Sequence, residues 1–374
     1  MIPFVSNVGA NQLLLNVKSV LEKNGYKFDI FVLNDNKHYK RLSKTLFSHT
    51  ISQNKNINYV SESDFFDIYK DENRKIFFFN NSNICTKYSK KSKKQETVDE
   101  LWNEDKKYLI EPLKNKTIIW FEHGPHSNFE CNYVESIKRL QEQNNKIVVW
   151  SNYKSLMNDF YVKNNIMNFM TRQAFSNDLY GEIKKSLNQS KTIFCFCGRY
   201  VTTKRPQILF NLLKWTLNTD LSFEVHFRGT KTAPFLFVNK HFFDDPRFIM
   251  NDQTEYAWQQ YDNKDYCFYF GNNIKTERGK IEYALLEPIY YGIPIVTIPK
   301  YFDEFMYDEY SITKEELKKC LIEYSDETFK KILDKTFDYS SYVENSKKII
   351  LSKFFEENFM KIVNKSLKES GICI

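Results

Sequence analysis

Short apolar runs alternate along this chain with segments whose apolar residues recur three and four positions apart. Runs of strand length fall at residues 2–5, 28–33, 76–79, 117–121 and 147–150. Leu14, Val17, Val20 and Leu21 share one face of a helix predicted over 13–24, with Gly25 placed to end it. A second helical pattern covers 134–143. Such alternation predicts a parallel sheet covered by helices on both faces.

A second set begins after the polar stretch at 186–190. Strands are predicted at 192–197, 223–227, 248–250, 267–270 and 295–298. Helices are predicted at 206–215, opened by Pro206, and at 281–291, closed by Gly292. Residues 314–367 read as mostly helical. The expected fold is α/β, two Rossmann-like domains in succession with a helical tail. Ligands of such sheets bind beyond the carboxyl ends of the strands, so a site is expected in a cleft between the two domains.

Composition agrees with two domains, since 374 residues exceed what one core usually holds. A hydrophobic content of 42%, with 33 Phe and 24 Tyr, excludes disorder as the main state. Only 10 Gly and 9 Pro argue against an all-β chain of many tight turns. Against 47 acidic residues stand 54 basic ones, a net charge of +7 that permits a polyanionic partner without requiring one. The seven Cys are scattered and odd in number, with no metal-ligand spacing, and read as reduced thiols. No leader pattern and no apolar run of about 20 residues appears, so a soluble cytoplasmic protein without a membrane span is expected. The stretch 87–94, Lys-Tyr-Ser-Lys-Lys-Ser-Lys-Lys, is too polar to pack and reads first as a solvated loop.

Two pieces carry chemistry. In the first, a strand ends at Gly198, followed by Arg199 and, five residues on, by Lys204 at the lip of a helix. Glycine lets the backbone approach a ligand, while Arg and Lys offer a fork and a point charge to a diphosphate. In the second, Glu287 lies midway along a helix that stops at Gly292 before a buried strand. A carboxylate there can accept both hydroxyls of a ribose. The plainer alternative makes Arg199 and Lys204 surface charges and Glu287 a helix-face carboxylate. Near the amino terminus, Gly9 opens a helix after a strand. Its backbone N–H groups suit a phosphate, though a simple tight turn explains it equally.

Together these pieces resemble the donor domain of the GT-B retaining glycosyltransferases. The resemblance implies that Gly198, Arg199 and Lys204 hold the diphosphate of a sugar nucleotide and that Glu287 holds its ribose. The commonest pattern of that family has a second Glu eight residues earlier; this chain has Gly279, and the nearest acids are Glu277 and Glu282. A narrower resemblance is to the DNA α-glucosyltransferases of T-even bacteriophages. It rests on 281–287, Ile-Glu-Tyr-Ala-Leu-Leu-Glu, on 228–235, Arg-Gly-Thr-Lys-Thr-Ala-Pro-Phe, and on 119–127, Ile-Trp-Phe-Glu-His-Gly-Pro-His-Ser.

The resemblance implies a UDP-sugar donor, most simply UDP-glucose, and no obligatory metal. It implies double-stranded DNA containing a 5-hydroxymethylpyrimidine as acceptor and the cytoplasm of an infected bacterial cell as the setting. A monomer is expected. His123 would lie near the acceptor hydroxyl with Arg199 and Lys204 around the leaving group, and Glu282 would join the donor site. Lys87, Lys90, Lys91, Lys93, Lys94 and His126 would contact DNA. The expected division is an acceptor domain at 1–175, a donor domain at 176–345 and a segment 346–374 returning to the first domain. Two rivals stand beside this reading. One is a bacterial surface-polysaccharide or lipid-linked sugar transferase with the same donor site. The other is a non-catalytic nucleic-acid or sugar-nucleotide binding protein.

Overall fold

The computed structural model describes residues 9–33, 57–60, 62–72, 76–80, 113–122, 137, 140–152, 161, 165–185, 190–196, 204–228, 240–251, 257–273 and 278–372. The chain divides into two compact units. One is Met1–Leu179 with Phe355–Ile374, and the other is Tyr180–Phe354. The chain therefore passes back to the first unit at Phe355, and 346–354 belong to the second.

The first unit opens with α1 (Gly9–Lys23), whose Leu14, Val17, Val20 and Leu21 are buried as their spacing requires. Gly25 ends it at φ +86°, with Gly25 N–H donating to the Glu22 carbonyl and Tyr26 N–H to that of Leu21. That pair of bonds is the usual way a glycine closes a helix. Strand β1 (Ile30–Leu33) pairs in parallel with β2 (Ile57–Val60). A four-stranded parallel sheet follows in the order β3 (Ile76–Asn80), β4 (Thr117–Glu122), β5 (Lys146–Ser151), β6 (Met167–Met170). Its centre is apolar without alternation: Ile118, Phe121, Val148, Val149 and Trp150 are all buried, as in sheets covered on both faces. The C-terminal helix Glu356–Glu369 packs here, with Trp150 Nε1 donating to Ser366 Oγ at 3.0 Å and Phe359 edge-on to the indole.

Among the described residues the second unit holds six parallel strands: β7 (Thr192–Phe196), β8 (Phe223–Arg228), β9 (Phe248–Asn251), β10 (Tyr266–Phe268), β11 (Ile295–Thr297) and β12 (Ile322–Glu323). Their spatial order is β12-β11-β10-β7-β8-β9. The chain therefore builds outward from β7 in one direction, then returns to start β10 on its other side. Phenylalanine fills the core: the Phe194 ring stacks on Tyr266, Phe268 and Phe329 with centroids 5.1–5.5 Å apart. Phe210, on α2 (Pro206–Leu213), stacks on Phe227 at 5.3 Å.

At the amino end of this sheet Arg247 ties loops together. It pairs with Asp245 at 2.6 Å and donates to the carbonyls of Thr216, Thr219 and Leu221. Its guanidinium lies over the Phe223 ring. The Arg247 hydrogen bond, against the cost of partial burial, holds the Asp245 carboxyl below its usual range.

The expected strands fall where predicted to within one or two residues, apart from the 2–5 strand, which lies outside the described residues. The expected helix at 206–215 is α-helical to Leu213 and tightens into a 3-10 turn, Lys214–Asn218. The helix expected from 281 begins at Tyr283. Three strands escaped the sequence pattern: β2 is four residues long, β12 only two, and β6 lies half-exposed at a sheet edge with Met167 in solvent. Of the 134–143 helix, Ile137, which is buried, and residues 140–143 are described, helical to 142.

Candidate nucleotide-sugar site

In an open parallel sheet the loops diverge at the strand where the winding direction reverses, which leaves a crevice beyond the carboxyl ends. Here that point lies between β7 and β10. Lys204 follows β7 in the sequence and stands just before Arg205, the residue that opens α2. The segment after β10 delivers Glu282, which caps α3 (Tyr283–Tyr290). The Lys204 ammonium and the Glu282 carboxylate meet in an ion pair. Both side chains are largely but not fully buried, at 12% and 24% exposure. Two residues 78 apart in sequence are thus brought together by the strand order alone.

The Glu282 segment is held from beneath by tyrosines. Tyr269 Oη donates toward Glu282 Oε2 at 3.2 Å and lies 3.3 Å from the Lys280 carbonyl. Tyr310 Oη accepts the Ile281 N–H at 2.9 Å, and Thr297 Oγ1 donates to the Tyr269 carbonyl at 2.6 Å. Burial, then the nearby Glu282 charge, pushes the Tyr269 hydroxyl well above its usual 10. It therefore stays a neutral donor throughout the working range.

Gly279 leaves no room for a carboxylate at its own position. Its φ is +69°, and a Cβ there would stand 1.9 Å from the Glu304 carbonyl oxygen. No side chain fits, because the end of α4 (Pro299–Glu304) is packed against the glycine. Glu282 is the next carboxylate along the segment, three residues on.

Glu287 sits in the middle of α3 and is 5% exposed. Its Oε2 accepts from Tyr261 Oη at 3.0 Å and from Gln260 Nε2 at 3.5 Å. Tyr261 is steadied by Tyr291, whose ring lies 5.7 Å away and whose hydroxyl donates to the Gly181 carbonyl. Gly181 in turn lies against the Trp258 indole, where a Cβ would come within 2.8 Å.

Of the residues singled out in the sequence, Lys204 and Glu282 are therefore in contact, and Glu287 lies on the same helix as Glu282 with partners of its own. Gly9 opens α1 in the first unit. Gly198, Arg199, His123, His126, Lys87, Lys90, Lys91, Lys93 and Lys94 lie outside the described residues. Sequence reasoning passed over Tyr261, Tyr269, Arg205 and Glu304. Their roles depend on partners far away in the chain, so no local spacing marks them. Among the described residues, no group of three or more His, Cys, Asp or Glu is placed to hold a metal ion. Among the same residues, no helix is long and apolar enough to cross a membrane.

The sequence matches no protein-family model and no curated protein. Solved structures do match, over nearly the whole chain. An α-glucosyltransferase in complex with UDP aligns with TM-score 0.67 at 14% identity, covering 99% of this chain and 98% of that one. An α-glucosyltransferase in complex with UDP-glucose and DNA containing an abasic site aligns with TM-score 0.65 at 14% identity, covering 99% and 97%. Anabaena HepE in complex with UDP-glucose aligns with TM-score 0.56 at 9% identity, covering 98% of each chain. At these identities the likeness concerns the fold. The chain has the two-domain α/β architecture of the GT-B glycosyltransferases.

Proposed function

We propose that this protein is a UDP-sugar-dependent glycosyltransferase. Its donor is UDP-glucose or a close relative, and its acceptor is the hydroxyl of a 5-hydroxymethylpyrimidine in double-stranded DNA. The observation that carries the donor half is the meeting of Lys204 and Glu282 at the reversal point of the six-stranded sheet, with Glu287 on the same helix. An ammonium beside a helix start suits a diphosphate, and the fold is one whose solved examples include UDP and UDP-glucose complexes.

In this reading Arg199 and Lys204 stabilise the charge that develops on the UDP leaving group as the sugar–phosphate bond breaks. Preorganised charge of this kind is usually the largest single contribution to rate. Gly198 lets the loop approach the diphosphate. Gly9, in the first unit, offers a helix start of the kind that suits a phosphate. Glu287 receives the ribose hydroxyls, and Glu282 exchanges its contact with Lys204 for one with the sugar. Metal is not required, because side-chain cations meet the diphosphate charge. The sugar is transferred with retention of configuration.

The acceptor half draws on the likeness to α-glucosyltransferase structures containing DNA and on two sequence features. His123 and His126 follow β4 directly in the sequence, and β4 ends at Glu122. Lys87, Lys90, Lys91, Lys93 and Lys94 supply phosphate contacts without reading sequence. The protein works as a monomer in the cytoplasm of an infected bacterial cell.

The deciding experiment is incubation with UDP-glucose, UDP-galactose or UDP-N-acetylglucosamine and either hydroxymethylated or unmodified DNA, followed by digestion and mass analysis of the nucleosides. A hexose mass added only to hydroxymethylated nucleosides is expected, and the anomeric proton coupling of the product reads the configuration. UDP-sugar turnover with no change in either DNA would move the acceptor to a surface sugar or lipid. Absence of UDP-sugar binding and turnover would leave a binding protein on this scaffold.

A further inference from the structure

Arg205 follows Lys204 directly, and its backbone is left-handed, φ 59° and ψ 34°, at the residue that caps α2. A bulky residue in that region is uncommon and persists only where its surroundings hold it there. Those surroundings are well defined. The side chain is 4% exposed. Nη1 donates to the Phe270 carbonyl at 3.4 Å, and Nη2 donates to the Asn272 carbonyl at 3.1 Å. Nη2 also lies 2.6 Å from Glu304 Oε2, a close ion pair rather than an aligned hydrogen bond.

These partners come from separate loops. Phe270 and Asn272 follow β10, and Glu304 ends α4 after β11. One guanidinium therefore joins the loops leaving β11, β10 and β7, three neighbours in the sheet order. The backbone of Glu304 is also the wall against which Gly279 is set, three residues before Glu282. Arg205 thus reaches both members of the Lys204–Glu282 pair. It reaches one through the adjoining peptide and the other through Glu304 and Gly279. A planar fork can serve two carbonyls and a carboxylate at once, whereas a lysine offers one compact point charge.

We infer that Arg205 is a positioning residue of the nucleotide-sugar site, fixing Lys204 and the Glu282 segment relative to each other where the donor diphosphate docks. The inference rests on the reading of Lys204 as a diphosphate ligand. Displacing a binding group by about 1 Å is enough to lose up to ~10²-fold in function, so loosening this tie acts on the ligand before it acts on the fold.

The test uses the full-length protein and UDP itself as probe. UDP affinity is measured by titration calorimetry well below melting, and the melting temperature is taken alongside for the wild type, Arg205→Lys, Glu304→Gln and Arg247→Lys. Arg247 is the control, since it is a comparable arginine clamp at the opposite end of the same sheet. We expect Arg205→Lys and Glu304→Gln to weaken UDP binding by about 10-fold or more, and Arg247→Lys to leave it within about twofold. Unchanged UDP affinity in a folded Arg205→Lys or Glu304→Gln protein overturns the inference, whatever happens to melting. An equal loss in Arg247→Lys overturns it too, because that would be general loosening. Should Arg205→Lys fail to fold, Glu304→Gln, which keeps its shape, decides alone. A wild-type protein that does not bind UDP refutes the reading of Lys204 first, and this inference with it.

Discussion

Arg205 and Arg247 sit at opposite ends of the same sheet, and each joins one carboxylate to carbonyls of neighbouring loops. Arg247 pairs with Asp245, two residues away, and its side chain keeps 15% of its exposure. Its partners Thr216, Thr219 and Leu221 form one short stretch running from the 3-10 turn to β8. Arg205 pairs with a residue 99 positions on and is nearly sealed from water. The same chemistry thus serves two ends differently. At the amino end it ties the turn before β9 to the single stretch that precedes β8. At the carboxyl end it joins loops from different strands, where ligands of such sheets bind.

The sharpest break of this comparison is Lys204→Ala. On the proposed reading Lys204 serves the leaving diphosphate, so turnover with a UDP-sugar should fall by about 10²–10³, while loss of its partly exposed ion pair with Glu282 moves melting little. A melting loss as large as that of an Arg247 variant would instead mark Lys204 as structural.

Gly279→Ala comes next. The left-handed backbone and the missing space should cost about 2–4 kcal/mol in chemical denaturation, and donor binding should weaken with it, because the Glu282 segment must shift. Near-wild-type stability would show that the end of α4 yields freely and transmits nothing to Glu282.

Arg247→Ala should cost about 1–3 kcal/mol through lost charged hydrogen bonds, with UDP affinity preserved in the folded protein. Denaturant titration and calorimetry on the same preparation check both halves.

The smallest effect tests pH. His226 Nε2 lies 2.9 Å from Glu224 Oε2, and its Nδ1 faces Asn251 Nδ2 at 3.1 Å. Burial lowers the His226 pKa from its usual 6.5, outweighing the pull of Glu224. The unfolded chain therefore takes up this proton first as pH falls, so stability is full above about 6.5 and declines below it. His226→Gln should flatten the slope of melting temperature against pH between 7.5 and 5.5. An unaltered slope in the variant would clear His226 of that role.

Much of the fold was legible because it depends on local pattern. The apolar face of α1 and its stop at Gly25, the Val- and Ile-rich central strands, and Pro206 opening a helix all follow from neighbours within a few residues. β6 and β12 were not legible, since an edge strand or a two-residue strand owes its existence to the partner it pairs with. In the candidate site, Lys204 and Glu287 stood out by residue type and context, and Gly279 stood out as a departure. That Gly279 admits no side chain is a fact about the Glu304 backbone, 25 residues away, and no spacing within the segment announces it.

The sequence by itself determined the α/β alternation, the two-unit division and the residue types suited to a diphosphate and a ribose, because periodicity and side-chain chemistry are properties of short stretches. Tertiary structure alone decided that Lys204 faces Glu282, that tyrosines underlie the segment between them and Gly279, and that Arg205 joins three loops. Strand order brings those groups within reach. Burial then makes each contact count, since a charge or hydroxyl removed from water must find its partner inside the protein.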